Sequence, residues 1–164
     1  MSAQTENKTE PSNPTESLWQ TYDELSNGAQ AELRRGTPSE PFWHLLDSIG
    51  KEREPDSDKL SRWKLLIQCV AIAGYSGTPF GLALKQAEYS EARLKRLLEA
   101  DDDQLHTLLR RTAKQLASAD QEANWHTVKR LLFAEDEAED VRLQIAQEYY
   151  TYDTNSNQED SADE

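Results

Sequence analysis

The chain has 164 residues, 36% hydrophobic and 30% charged, with a net charge of −13 and a sequence pI of about 4.6. That length is about one domain, and a mean hydropathy of −0.89 leaves much of it in contact with water. A single cysteine, Cys69, excludes an intrachain disulfide and fits a reducing, cytoplasmic setting. The N-terminus lacks the charged-then-apolar pattern of a signal peptide. The longest apolar stretch, residues 65–74, is interrupted by Gln68 and too short to span a bilayer, so no membrane association is expected.

Both ends read as tails. Residues 1–17 are polar and residues 152–164 carry five carboxylates with no Lys or Arg, compositions that cannot repay the entropy of ordering. Disorder is expected there, with folding confined to 18–151. Within that span helical spacing dominates. Leu18, Trp19, Tyr22, Leu25, Ala29 and Leu33 form one stripe that Gly28 interrupts. Ser39 is the expected cap of a second helix over 41–50, with Phe42, Leu45, Leu46 and Ile49 on one side and Gly50 at its end.

After the charged loop 51–58, a helix over 59–73 is apolar nearly all round, which makes it the central buried element. Gly74, Gly77 and Pro79 form a turn, followed by a short helix over 80–87. Ser90 opens the next, with Leu94, Leu97 and Leu98 on its packed side. Asp101, Asp102 and Asp103 suit the positive end of a helix over 102–117 that buries Leu105, Leu108, Leu109, Thr112 and Leu116. Asn124 caps a helix with Trp125, Val128, Leu131 and Leu132, and the last helix, 136–150, uses Val141, Ile145, Ala146 and Tyr149. Short connections of this kind predict a compact all-α bundle of about seven or eight helices.

No catalytic constellation is present: there is no Gly-rich phosphate loop, no HExxH and no Gly-x-Ser-x-Gly. His44, His106, His126 and Cys69 lack ligand spacing on any one helix face, so neither a metal nor another cofactor is expected. The charge distribution carries more information. Residues 34–130 hold sixteen Lys or Arg against fourteen Asp or Glu, while both ends are acidic. Paired Arg34 and Arg35 end a helix, where cations suit the dipole as well as they suit a ligand. Arg93 and Arg96 share a face opposite the packed leucines. Arg110 and Lys114 are one turn apart, with His106 one turn back and Arg111 beside them. Several helices that each turn cations outward fit a sugar-phosphate backbone. Trp43, Trp63 and Trp125 fall in or beside apolar stripes, so core packing is expected of them rather than base stacking. Two other readings compete: a helical protein-interaction adaptor whose arginines pair with partner carboxylates, and an acidic mimic of nucleic acid.

Five short blocks come in a specific order: Ala-Glu-Leu-Arg-Arg-Gly (31–36), Pro-Phe-Trp-His-Leu-Leu (41–46), Pro-Phe-Gly-Leu-Ala-Leu (79–84), Ser-Glu-Ala-Arg-Leu-Lys-Arg-Leu-Leu (90–98) and Leu-Leu-Arg-Arg (108–111). With Trp125 opening the following helix, they resemble the CasB family, the small subunit of the type I-E CRISPR Cascade complex. The resemblance covers about 30–132 and gives the span 18–151 the character of a CasB-like domain. It implies a non-enzymatic protein present as two copies beside crRNA-binding backbone subunits and a large subunit. In that setting it contacts the crRNA–target DNA heteroduplex and the displaced strand and stabilises the R-loop. The positions it marks for nucleic-acid contact are Arg34, Arg35, Arg93, Arg96, Arg110 and Arg111; helix geometry adds Lys114. The acidic tail 152–164 has no counterpart in the resemblance and is expected either to aid solubility or to compete with phosphate for the basic face.

Overall fold

The computed structural model describes residues 14–48 and 57–163, without the side chains of Glu135 and 152–163. Nine α-helices lie among the described residues: α1 (Pro14–Asp23), α2 (Asn27–Arg34), α3 (Glu40–Ser48), α4 (Ser57–Ala73), α5 (Phe80–Gln86), α6 (Glu91–Glu99), α7 (Asp102–Ser118), α8 (His126–Phe133) and α9 (Ala138–Asp163). The class is all-α, as the periodicity predicts. A single 3-10 turn, Glu135–Glu137, links α8 to α9. No helix among the described residues is long and apolar enough to cross a membrane.

The first stripe is two helices, and the break falls before Gly28 rather than at it. Ser26 caps α2, its hydroxyl accepting from the Ala29 amide at 3.2 Å, which leaves Gly28 inside the helix. Helix α1 begins at Pro14, four residues ahead of the expected start, with Thr15 and Leu18 both fully buried. A proline in the first turn loses no hydrogen bond there, so a polar composition did not prevent the helix from starting early. Residues 1–13 and 49–56, including Ile49, Gly50 and most of the charged loop, lie outside the described residues. Helix α9 continues as helix through 152–163, the segment whose composition predicts disorder.

Helix α4 is the hub. Trp63, Leu65, Leu66, Ile67, Cys69, Val70, Ala71 and Ala73 are all buried, each large side chain contributing about 2 kcal/mol on leaving water. Helices α2, α7 and α8 pack around it. Polar side chains fasten them where packing alone leaves carbonyls exposed: Tyr22 donates to the Ala71 carbonyl at 3.3 Å, Cys69 to that of Leu109 at 3.6 Å and Arg62 to that of Leu132 at 2.6 Å. The buried Trp125 indole donates to the Gly74 carbonyl at 3.0 Å and meets the Phe80 ring edge-on.

The second anchor is the crossing of α5 and α9. A Cβ on Gly81 would lie 2.2 Å from the Ile145 carbonyl oxygen and 2.6 Å from the Glu148 Cβ, so only glycine permits this approach. Its amide donates to Glu148 Oε1 at 2.9 Å. Tyr149 then donates to the Tyr89 carbonyl and Arg142 to the Ala100 carbonyl at 3.4 Å, which lays α9 antiparallel along α6.

Candidate nucleic-acid interface

Helices α6 and α7 are set by their caps. Ser90 accepts from the Arg93 amide at 3.1 Å, and Asp101 from the Gln104 amide at 3.0 Å. These caps, with Leu94 and Leu97 of α6 and Leu105, Leu109, Thr112 and Leu116 of α7 buried, fix the rotation of each helix. The result is a concavity of about 200 Å³ between them, lined by Tyr89, Arg93, Arg96, Leu108, Arg111, Thr112 and Gln115. Its floor is a polar relay: the Tyr89 hydroxyl lies 2.8 Å from Thr112 Oγ1, and Thr112 donates to the Leu108 carbonyl. Burial pushes the Tyr89 phenol up, while the Thr112 hydrogen bond and the charges of Arg93 and Arg96 pull the other way. Arg93 is held by Gln115 Oε1 across the notch.

The three arginines of this notch are exposed, and among the described residues none forms an ion pair. Other cations differ. Arg62 bridges to Asp58 at 2.9 Å, and Arg130 is shared between Glu137 and Gln144. Asp103 stands only at the outer end, where Arg96 and Arg111 continue past Gln104 and Thr107. An oxyanion here finds three charged donors and, among the described residues, no carboxylate to displace.

The seven arginines and lysines marked in the sequence do not gather in one place. Arg93, Arg96 and Arg111 meet in the notch. Successive residues on a helix point about 100° apart, so Arg110 leaves on the other edge of α7. There it is half-buried, its charge lowers the His106 pKa and acts on Cys69 of α4, and Lys114 follows one turn on. Burial dominates at Cys69 and pushes the thiol up to about 12. Arg34 and Arg35 sit at the end of α2. Arg34 donates to the Tyr22 hydroxyl at 3.0 Å and so ties α2 to α1, whereas Arg35 is the C-cap with an exposed side chain. Gly36 follows at φ +79°, the left-handed conformation that ends the helix.

Gln115, Tyr89 and Thr112 were not singled out for the site. The only signal was spacing, Gln115 being four residues on from Arg111. The tryptophans divide. Trp63 and Trp125 are core residues as expected, but Trp43 at the edge of the α3 stripe is 41% exposed, its ring meeting that of Phe42 edge-on with centroids 5.0 Å apart.

Comparison with known proteins bears on this arrangement. A family profile described as CRISPR-associated protein Cse2 matches residues 29–150. No curated protein sequence matches the chain. Among solved structures the fold is similar to a chain in the crystal structure of E. coli Cascade bound to a PAM-containing dsDNA target. The TM-score is 0.61 and the identity 21%, over 80% of this chain and 91% of that one, a likeness of fold.

Proposed function

The chain belongs to the CRISPR-associated protein Cse2 (CasB) family, and from that premise we propose that it is the small subunit of a type I-E Cascade complex that grips a sugar-phosphate backbone without reading bases. The observation that carries this is the convergence of Arg93, Arg96 and Arg111 on one notch, unpaired by any carboxylate among the described residues. Arg110 and Lys114 on the far edge of α7 and Arg35 at the end of α2 extend the cationic track; Arg34, held by Tyr22, contributes less. Its partners in this reading are crRNA, target DNA, the crRNA-binding backbone subunits, the large subunit and a second copy of itself. It supplies no catalytic step.

The net charge of −13 does not oppose this. At physiological ionic strength the Debye length is about 8 Å, so a phosphate in the notch is governed by the arginines lining it rather than by carboxylates further away. The work required is small. Exchange of a DNA duplex for an RNA–DNA heteroduplex is nearly balanced, so a few backbone contacts to either strand tip it towards the open R-loop.

The test is the salt dependence of oligo-dT binding by the full chain. Replacing Arg93, Arg96 and Arg111 together with alanine is expected to lower the log–log slope by about 2, since each single-strand phosphate contact contributes about 0.7. The further set Arg110→Ala and Lys114→Ala is expected to lower it by about 1.4 on the same basis. An unchanged slope in both sets, with helicity intact, moves the protein to the adaptor reading, in which these arginines meet partner carboxylates.

A further inference from the structure

Helix α9 carries apolar side chains on two of its sides. Val141, Ile145 and Tyr149 are buried against the body of the protein. Leu143 and Tyr150 stand on the opposite side, 62% and 46% exposed, with Ala146, expected on the packed stripe, half-buried between them; the Tyr150 ring meets that of Tyr149 edge-on at 4.9 Å. A surface helix normally has one apolar face and one polar face. Scattered exposed apolar residues are ordinary, but a pair on one side, a heptad apart, fits a helix-packing seam.

The seam has a neighbour. Because Arg142 reaches Ala100 and Tyr149 reaches Tyr89, α9 lies antiparallel to α6. Beside it Glu91, Ala92, Leu94, Lys95, Leu98 and Glu99 of α6 close with Tyr150 around an open groove of about 420 Å³. The floor is apolar and the rim is acidic. Lys95 is the one cation among the residues lining it, against Glu91 and Glu99. Burial, then Glu91 and Tyr150, push the Tyr149 phenol up, which places the negative field of Glu91 across the α6–α9 junction.

We propose that the α6–α9 groove is a docking surface for a basic amphipathic helix of another protein in the assembly, its apolar face on Leu98, Leu143 and Tyr150 and its cations towards Glu91 and Glu99. The proposal rests on the Cascade reading above. The charge of the rim decides the occupant. A second copy of this chain would bring the same carboxylates against themselves, and a nucleic acid would bring phosphate against them, whereas a basic helix gains on both counts.

The experiment is recovery of the tagged full chain with the remaining Cascade subunits of its own host, co-expressed. Leu143→Glu with Tyr150→Glu changes only exposed positions, so helicity, Tm and oligo-dT affinity are expected to stay as in the wild type. Recovery of the other subunits is expected to fall roughly ten-fold or more, the effect of losing interface anchors. Glu91→Lys with Glu99→Lys is expected to weaken recovery in a salt-dependent manner while leaving the apolar seam intact. Full recovery with the Leu143/Tyr150 variant overturns the proposal. So does a wild-type chain that dimerises alone and becomes monomeric in that variant, which gives the groove to self-pairing. A wild-type chain that recovers no subunit instead overturns the Cascade reading itself.

Discussion

The α7-facing side of α6 carries Arg93 and Arg96, whereas its α9-facing side carries Glu91, Lys95, Leu98 and Glu99. One helix of nine residues thus separates a cationic notch from an acidic, apolar groove. Neither property is visible in the charge of α6, which is close to balanced, nor in the strongly acidic charge of the chain. The two surfaces are divided by angle around a helix, and the angle is set by which leucines are buried. Leu94 and Leu97 fix the rotation of α6; rotating it by one residue would mix the two surfaces.

The largest effect on this division is expected at Gly81, which neither surface contains. Gly81→Ala drives a methyl group into the Ile145 carbonyl and the Glu148 side chain, forcing α9 away from α5. Overpacking of this kind costs about 2 kcal/mol, and the Tm should fall by about 4–8 °C for a chain of this length, read by thermal circular dichroism. The two surfaces should respond unequally. Hydrogen exchange is expected to show α9 amides losing protection while α7, held through Tyr89 and Thr112, keeps it. Equal loss in both helices would mean that notch and groove form one cooperative unit.

Much of this frame was legible in the residues. The run from Leu65 to Ile72, apolar on every side, marked α4 as the hub, and Ser90 and Asp101 announced the starts of α6 and α7 through the hydrogen bonds they make. What could not be read was anything decided by tertiary crossing. Arg110 and Arg111 are adjacent in sequence and end on different edges of α7. Arg111 joins Arg93 and Arg96 because α7 buries Leu105, Leu109, Thr112, Ala113 and Leu116 and packs on α4, where Cys69 donates to the Leu109 carbonyl. The split of the first stripe was misplaced for a local reason: Ser26 competes for the Ala29 amide, and a glycine in the first turn of a helix costs too little to break it. Leu143 escapes a periodicity reading because Val141, Ile145, Ala146 and Tyr149 already make one apolar stripe of α9.

A smaller effect separates Arg34 from Arg35. Arg34→Ala removes the hydrogen bond to Tyr22 and is expected to cost about 1 kcal/mol of stability, with less change in the oligo-dT salt slope than Arg35→Ala. The latter is expected to lower the slope by about 0.7 and leave the Tm unchanged. Equal slopes with equal stability would place both on the binding track and remove the structural role from Arg34.

The smallest effect concerns pH and the far edge of α7. Burial first, then Arg110 and Arg62, lower the His106 pKa below its ordinary 6.5, with Asp102 and Asp58 opposing. Burial, then Lys129 and Arg130, lower that of His126. Above the unfolded value both imidazoles are neutral in either state and impose no penalty. As the pH falls below 6.5 the unfolded chain takes up protons first, so stability declines until the folded pKa is passed. The Tm is therefore expected to drop modestly between neutral pH and pH 5, and His106→Asn with His126→Asn should flatten that decline. The same imidazole sharpens the comparison of the two edges of α7. A phosphate held by Arg110 and Lys114 favours the imidazolium, so bound oligo-dT should raise the His106 pKa in an NMR titration. If His106 titrates at the same pH with and without the strand, the backbone lies in the Arg93–Arg96–Arg111 notch alone, and the far edge of α7 is left to the packing of α4.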